Sequence, residues 1–236
     1  MEAEAKVLSQ VLVKKLQETP SSKRLLVGIS GIPASGKSTL AQLVVDHTNV
    51  VLAKDPESTT RSILVGLDGW HLTRAQLDLF PDPQQAHDRR GSYWTFDGTG
   101  YVNFVRSLRA ELEPDTPIIT APSFDHAVKD PTPDAVSIYP YHRIVIIEGL
   151  YTFLSIEPWS AGGLLLDERW FLNVDIEAAR RRLVKRHVVS GVAKDLEQAS
   201  WRADETDMPN GRFIIANMLE PTRVIENQDD PALILP

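Results

Sequence analysis

Gly31-Ile32-Pro33-Ala34-Ser35-Gly36-Lys37-Ser38, followed by Thr39, is the stretch of sequence that decides the fold. The apolar run Leu25–Ser30 precedes it, and an amphipathic helical pattern over residues 39–45 follows it. A strand, a glycine-bounded loop ending in Gly-Lys-Ser and then a helix are typical of a P-loop. The alternative is a glycine-rich turn with a surface lysine, and it would require chance to supply both the strand and the helix.

The residues of this loop suit the binding of a phosphate chain. Glycines let backbone N–H groups curl around phosphates, and the following helix points its positive N-terminal end at them. Lys37 would reach the β- and γ-phosphates of ATP, and the Ser38 hydroxyl would hold Mg²⁺. The predicted nucleotide-binding residues are Gly31, Ile32, Pro33, Ala34, Ser35, Gly36, Lys37, Ser38 and Thr39.

Composition narrows the class of protein. A length of 236 residues, with 42% hydrophobic and 24% charged side chains, predicts a single soluble domain over residues 1–236. The net charge of −7 argues against nucleic acid or an anionic membrane as the main partner, because such binding needs excess Lys and Arg. The chain has no cysteine, which excludes disulfides and thiolate chemistry. An acidic N-terminus and no membrane-length apolar run favour the cytoplasm.

Apolar runs alternate with helical patterns along the chain. This alternation predicts an α/β fold, a three-layer P-loop NTPase sandwich with a mostly parallel five-stranded central sheet and a small helical lid. Predicted strands cover residues 25–30, 62–67, 117–121, 143–150 and 169–175, with a terminal pair at 223–226 and 232–235. Predicted helices include residues 4–18, packed outside the core, 101–112, 177–189 and 210–219. Residues 79–100 and 122–140 are expected to be loops.

Carboxylates follow two of the predicted strands. Ligands of α/β sheets bind beyond the carboxyl ends of the strands, so these positions are candidates for chemistry. Asp68 is predicted to take the proton from an attacking hydroxyl, or to bind Mg²⁺ through water. Glu148 ends the most apolar strand and is predicted to be a second magnesium residue. In the alternative interpretation, Asp68 is an ordinary turn residue and Glu148 is a strand-end carboxylate that caps the next helix.

Residues 180–187 read Arg-Arg-Arg-Leu-Val-Lys-Arg-His. Five cations on about two turns of helix repel one another unless an anion lies nearby, although many charge runs are simply solvated faces. Phosphoryl transfer benefits from arginines that close over the transferring group. We therefore predict Arg182 and Arg186 as catalytic cations that contact phosphate, within a lid over about residues 177–205.

Other candidates lie in the predicted loops. His126, Arg89 and Arg90 each have two interpretations, as ligands of a substrate or as ordinary surface residues. Several aromatic residues would either wall a pocket for a small organic molecule or pack in the core. They are Trp70, Tyr93, Trp94 and Phe96.

An ordered set of motifs carries a family resemblance. The motifs are Asp68-Gly69-Trp70-His71, Arg89-Arg90-Gly91 with Thr95-Phe96-Asp97, Pro122-Ser123-Phe124-Asp125-His126 with Asp130-Pro131, Ile147-Glu148-Gly149-Leu150-Tyr151, and Arg186-His187. Together they resemble the phosphoribulokinase/uridine kinase family, and most closely its branch of type I pantothenate kinases with fructokinase-like and fungal kinase-like relatives. The resemblance spans about residues 25–235.

The resemblance implies an ATP-dependent kinase that acts on a hydroxyl of a small pantothenate-, nucleoside- or sugar-like metabolite. Asp68 would be the catalytic base, Glu148 the acidic magnesium residue and the basic helix the lid. The implied substrate-binding residues are Asp68, His71, Arg89, His126, Arg186 and Asn210, and the implied metal ligands are Ser38, Asp68 and Glu148. A homodimer is an open expectation. The alternative function is a P-loop ATPase or nucleotide-binding regulator without a metabolite acceptor.

Overall fold

The computed structural model describes residues 1–125 and 127–227. Its strands are Leu25–Gly31 (β1), Arg61–Gly66 (β2), Ile119–Asp125 (β3), Asp130–Ile138 (β4), His142–Glu148 (β5), Glu168–Asn173 (β6) and Arg223–Glu226 (β7). The central sheet has five parallel strands in the order β2-β5-β1-β6-β7. The predicted α/β fold with a mostly parallel five-stranded sheet is therefore confirmed.

Helices cover both faces of this sheet. They are Glu2–Glu18 (α1), Lys37–Leu52 (α2), Arg74–Leu77 (α3), Pro83–Asp88 (α4), Gly98–Leu108 (α5), Trp159–Gly163 (α6), Ile176–Val189 (α7), Leu196–Arg202 (α8) and Met208–Asn217 (α9). Short 3₁₀ turns lie at Leu67–Trp70 and Tyr93–Thr95, and a π-helical turn, Ala203–Asp207, joins α8 to α9. Within residues 1–125 and 127–227, no helix has the length and apolarity needed to cross a membrane.

The core lies on both sides of β1, whose seven residues are all buried. Val27 and Ile29 face a cluster that includes Leu8 of α1 and Val44 of α2. Leu26 faces the opposite cluster, which contains the apolar side chains of α5. A parallel strand buried on both faces needs apolar residues at successive positions, which explains the continuous apolar runs of β1 and β5.

The structure corrects the prediction for residues 117–140. The segment predicted as a sheet strand, 117–121, does not join the central sheet, and the segment predicted as a loop, 122–140, is not a loop. Instead β3 and β4 form a separate antiparallel hairpin, and β7 completes the central sheet. The prolines of this segment favoured a loop in the sequence analysis. Both strands of an isolated two-stranded ribbon are edge strands, however, and edge strands tolerate proline. The pairing shifts its register between Ala121 and Ser123, on either side of Pro122.

Residues 79–100 are also more ordered than the predicted loop. They contain α4, the 3₁₀ turn Tyr93–Thr95 and the start of α5. Asp82 caps α4 by accepting a hydrogen bond from the Gln85 N–H, and Pro83 occupies the first turn, which are ordinary signals of a helix start. The predicted strand 232–235 and the candidate His126 lie outside the described residues.

Candidate active site

The loop between β1 and α2 contains two residues in the left-handed region before the helix begins. Gly36 is left-handed, with φ of 90°, and precedes the first residue of α2. Ala34 is also left-handed, with φ of 60°. At Gly31 a Cβ atom would lie 2.8 Å from the Leu172 carbonyl oxygen, so only glycine allows this close approach. These turns direct the chain around the N-terminal end of α2, where backbone N–H groups are available to an anion.

The strand register brings Glu148 between the P-loop and Asp68. Glu148 is paired with Ile29 on β1 and with Gly66 on β2. β1 leads into the P-loop and β2 leads into the 3₁₀ turn that contains Asp68. The next residue, Gly149, approaches this turn so closely that an added Cβ would lie 2.3 Å from Leu67 Cβ. The three strand ends therefore converge on one edge of the sheet.

Glu148 is a largely buried carboxylate that lies close to the cation of Lys37. Its Oε1 atom lies 3.9 Å from Lys37 Nζ, and the two side chains are 14% and 13% exposed. Burial raises the pKa of Glu148, and the negative charge of Asp68 raises it further. The charge of Lys37 and a hydrogen bond with the Ser38 hydroxyl oppose this shift, but the net direction is upward. An added cation at this position would stabilise the ionised carboxylate.

The chemistry of the donor set fits Mg²⁺. The Ser38 hydroxyl and the Glu148 carboxylate are hard oxygen donors that hydrogen-bond to each other, and the side chain of Asp68 is 52% exposed. Among the described residues, no group of three or more His, Cys, Asp or Glu side chains could hold a metal by itself. Mg²⁺ commonly takes one or two protein oxygens and completes its coordination with phosphates and water, so a complete protein cage is not required.

His71 lies beside Asp68 on an aromatic surface. Its Nδ1 atom is 2.8 Å from the Asp68 carbonyl oxygen and 3.9 Å from the Asp68 carboxylate. The His71 ring contacts the rings of Phe96 and Phe124, at centroid distances of 3.9 and 4.9 Å. Trp70 instead packs in the core, where it is 5% exposed. The structure thus brings the predicted residues Asp68 and His71 together beside an aromatic surface that consists of Phe96 and Phe124.

Asp130 holds the hairpin against this region. It accepts hydrogen bonds from the backbone N–H and the guanidinium of Arg74, and from the guanidinium of Arg90 at 2.9 Å. Burial alone would raise the pKa of Asp130, but these arginine bonds lower it. Arg90 also donates to the Leu72 carbonyl at 2.7 Å and lies over the Phe124 ring. The sequence analysis did not predict this role of Asp130. The Asp130-Pro131 and Arg89-Arg90 motifs were both recognised, and a pairing between an acidic and a basic motif could have indicated it.

Arg89 and Asn210 connect the loop before α5 to the helices near the P-loop. Asn210 donates to the Gly91 carbonyl at 3.2 Å and accepts a hydrogen bond from Ser92 at 3.1 Å. Arg89 donates to the carbonyl of Glu205. Both side chains therefore bind residues of the protein itself, and their contact with a substrate stays a prediction.

The basic helix α7 lies over the P-loop. The Nη1 atom of Arg182 is 3.4 Å from the carbonyl oxygen of Ala34. Arg186 lies one turn further along α7 and is exposed. Arg180 instead pairs with Asp204. Arg182 therefore lies beside the P-loop, while the contact of Arg182 and Arg186 with phosphate and their catalytic roles stay predictions.

Known proteins are similar to this chain in sequence and in fold. No family model matches the chain. It is 52% identical to the ATP-dependent kinase-like protein notR' of Aspergillus versicolor over 153 residues, which cover 65% of this chain and 89% of that protein. It is also 36% identical to a uridine kinase-like protein of Schizosaccharomyces pombe over 204 residues, 86% of this chain and 83% of that protein. The chain belongs to the uridine kinase-like family of ATP-dependent P-loop kinases.

A solved structure supports this membership of the uridine kinase-like family. A fructose transport kinase-like protein from Silicibacter sp. TM1040 is 27% identical, with a TM-score of 0.79, and the match covers 94% of this chain and 98% of that one. The resemblance to phosphoribulokinase/uridine kinase proteins that the motifs carry is thus confirmed, and so is the P-loop fold.

Proposed function

We propose that this uridine kinase-like protein transfers the γ-phosphoryl group of Mg-ATP to a hydroxyl of a small metabolite. The observation that carries the proposal is the position of Glu148, which lies between the P-loop and Asp68 at one edge of the sheet. A phosphate-binding turn would hold the donor nucleotide, and a half-exposed carboxylate at the same edge would accept a proton from the attacking hydroxyl.

Asp68 is the proposed base. Its carboxylate would accept the proton of the acceptor hydroxyl, whose oxygen then bonds to the γ-phosphorus while the bond from that phosphorus to the oxygen of ADP breaks. Lys37 would offset negative charge on the β- and γ-phosphates from within the P-loop. Arg182 and Arg186 would contact the transferring group from α7 and help to exclude water.

Mg²⁺ is the proposed metal, and Ser38 and Glu148 would hold it, with Asp68 contributing through water. The ion would neutralise charge on the phosphates, which is its usual contribution to phosphoryl transfer. The buried Glu148 supports this assignment, because a carboxylate with a raised pKa gains from a nearby cation.

The acceptor is proposed to be a pantothenate-, nucleoside- or sugar-like compound. Its site would lie between Asp68 and the aromatic surface at His71. The family resemblance adds Arg89, His126, Arg186 and Asn210 as proposed ligands of the acceptor. The names of the relatives support a hydroxylated acceptor, since they are uridine kinase-like and fructose transport kinase-like. We further propose a cytoplasmic protein that binds neither nucleic acid nor membrane, and a homodimer as its assembly.

The test is ADP release from Mg-ATP across a panel of pantothenate, nucleosides, nicotinamide riboside and simple sugars. We expect one class of metabolite to raise ADP release far above the rate without acceptor, and mass spectrometry to find the phosphorylated product. If ADP release is the same with every metabolite but changes with a protein partner, the protein is instead an ATPase or a nucleotide-binding regulator.

A further inference from the structure

A largely buried histidine–aspartate pair joins the basic helix α7 to the turn that precedes α9. His187 Nε2 lies 2.9 Å from Asp207 Oδ2, and the two side chains are 7% and 19% exposed. His187 follows Ala179 and Leu183 at intervals of four residues on the buried side of α7. That spacing puts the three side chains on one helix face, so His187 is the polar end of an otherwise apolar stripe.

Asp207 is the last residue of the π-helical turn Ala203–Asp207. Such turns are rare and occur frequently at functional sites. Side chains from two directions hold this turn: Arg180 of α7 pairs with Asp204 through two hydrogen bonds of 2.6 and 2.7 Å, and Arg89 donates to the Glu205 carbonyl. The turn is therefore one of the elements to which α7 is attached.

The same helix reaches the P-loop through Arg182. Leu183, the next residue, belongs to a small apolar cluster with Ala203 and Met208, and Ala34 of the P-loop packs against this cluster. Apolar packing is non-directional and tolerates rotation of a helix about its axis. A hydrogen bond requires alignment of donor and acceptor, so the bond of His187 to Asp207 allows fewer orientations of α7.

We propose that His187 is a positioning residue, whose hydrogen bond to Asp207 sets the rotation of α7 so that Arg182 faces the terminal phosphate of ATP. This inference rests on the proposed function, because it concerns how the kinase distinguishes ATP from ADP. His187 is buried against the π-helical turn and acts through α7.

The test compares affinities for two nucleotides in the absence of an acceptor. Isothermal titration with Mg-ADP and with the magnesium complex of β,γ-imido-ATP gives the preference for a third phosphate. His187→Phe is expected to reduce this preference about tenfold, the scale of one charge-assisted hydrogen bond, and to leave Mg-ADP affinity within about twofold. His187→Gln, which places an amide nitrogen near the position of Nε2, is expected to restore most of the preference.

Two further variants separate positioning from general damage. Arg180→Met removes the solvent-exposed pair with Asp204 between the same two elements, and it is expected to lower the preference much less than His187→Phe does, because water competes for an exposed ion pair. In an Arg182→Gln background, His187→Phe is expected to cause no additional loss, because His187 acts through Arg182. Non-additivity of this kind is what coupled residues show in a double-mutant cycle.

The outcomes distinguish this inference from the proposed function. If His187→Phe weakens both nucleotides equally, or adds its full loss to that of Arg182→Gln, His187 is merely structural and the kinase proposal stands. If the wild-type protein binds neither nucleotide, the proposed function itself fails. Should His187→Phe not fold, Asp207→Leu removes the same hydrogen bond from the other side, and an unchanged preference in that variant also overturns the inference.

Discussion

The proposed phosphate side and the proposed acceptor side of the candidate site are assembled in different ways. The phosphate side is one continuous segment, the P-loop and the start of α2, together with the end of one neighbouring strand. The acceptor side combines the turn after β2, the loop before α5 and a hairpin outside the central sheet. Its central ion pair, Arg90 with Asp130, joins residues 40 positions apart. The first surface depends mostly on local sequence and on one strand pairing, and the second depends on tertiary contacts throughout.

The largest expected effect comes from Asp68→Asn, which acts where the two sides meet. Turnover should fall about 10²- to 10⁴-fold, the range of one general base, because the acceptor hydroxyl loses its proton acceptor. Nucleotide affinity should stay within about twofold, since Asp68 acts mainly in the transition state. ADP release with the acceptor found in the metabolite panel and titration with Mg-ADP measure the two quantities. Wild-type turnover in this variant would show that Asp68 is not the base.

Lys37→Ala should damage the phosphate side alone. Turnover should fall about 10²-fold, as when one donor to a developing charge is removed, and nucleotide affinity should fall with it. The KM for the acceptor should change little, because Lys37 belongs to the P-loop and its side chain lies beside Glu148. Titration and steady-state kinetics check both expectations. Equal nucleotide affinity in wild type and variant would contradict the assignment.

Asp130→Asn should damage the acceptor side alone. The loss of its charge weakens the bonds to Arg74 and Arg90, so the hairpin is held less firmly and the acceptor KM should rise about tenfold, the scale of one charge-assisted hydrogen bond. Nucleotide affinity should not change. Asp134→Asn is the matched control, because Asp134 lies on the same hairpin and bonds to Thr120 within it. A similar rise in KM in both variants would argue against a specific role for Asp130.

The smallest expected effect is a release of protons when Mg-nucleotide binds. The folded protein raises the pKa of Glu148. At mildly acidic pH, Glu148 of the nucleotide-free site is therefore protonated in a larger fraction of molecules than an ordinary carboxyl group is. Mg²⁺ requires the ionised form, so affinity should weaken as the pH falls through this raised pKa. Titration at pH 5.5 in two buffers of different ionisation enthalpy measures the release. Glu148→Gln should abolish it, and an equal release in both proteins would assign it to another group.

The sequence alone determined the phosphate side. Strand, loop and helix follow one another directly from residue 25, and the P-loop conformation depends on glycines within the loop itself. Asp68 and Glu148 were recognised because each follows an apolar strand, and the carboxyl ends of parallel strands meet at one edge of a sheet. These signals are local or periodic, so they can be recognised before the partners of each strand are known.

Only the tertiary structure decided the acceptor side and the attachment of the lid. Residues 117–140 have a loop-like composition, and their pairing as β3 and β4 depends on contacts that no local pattern records. The partners of Arg89, Asn210 and His187 lie on separate elements, at Glu205, Gly91 and Asp207. The free energy of such contacts depends on burial and on the alignment of donor and acceptor, and both are defined only after the chain has folded.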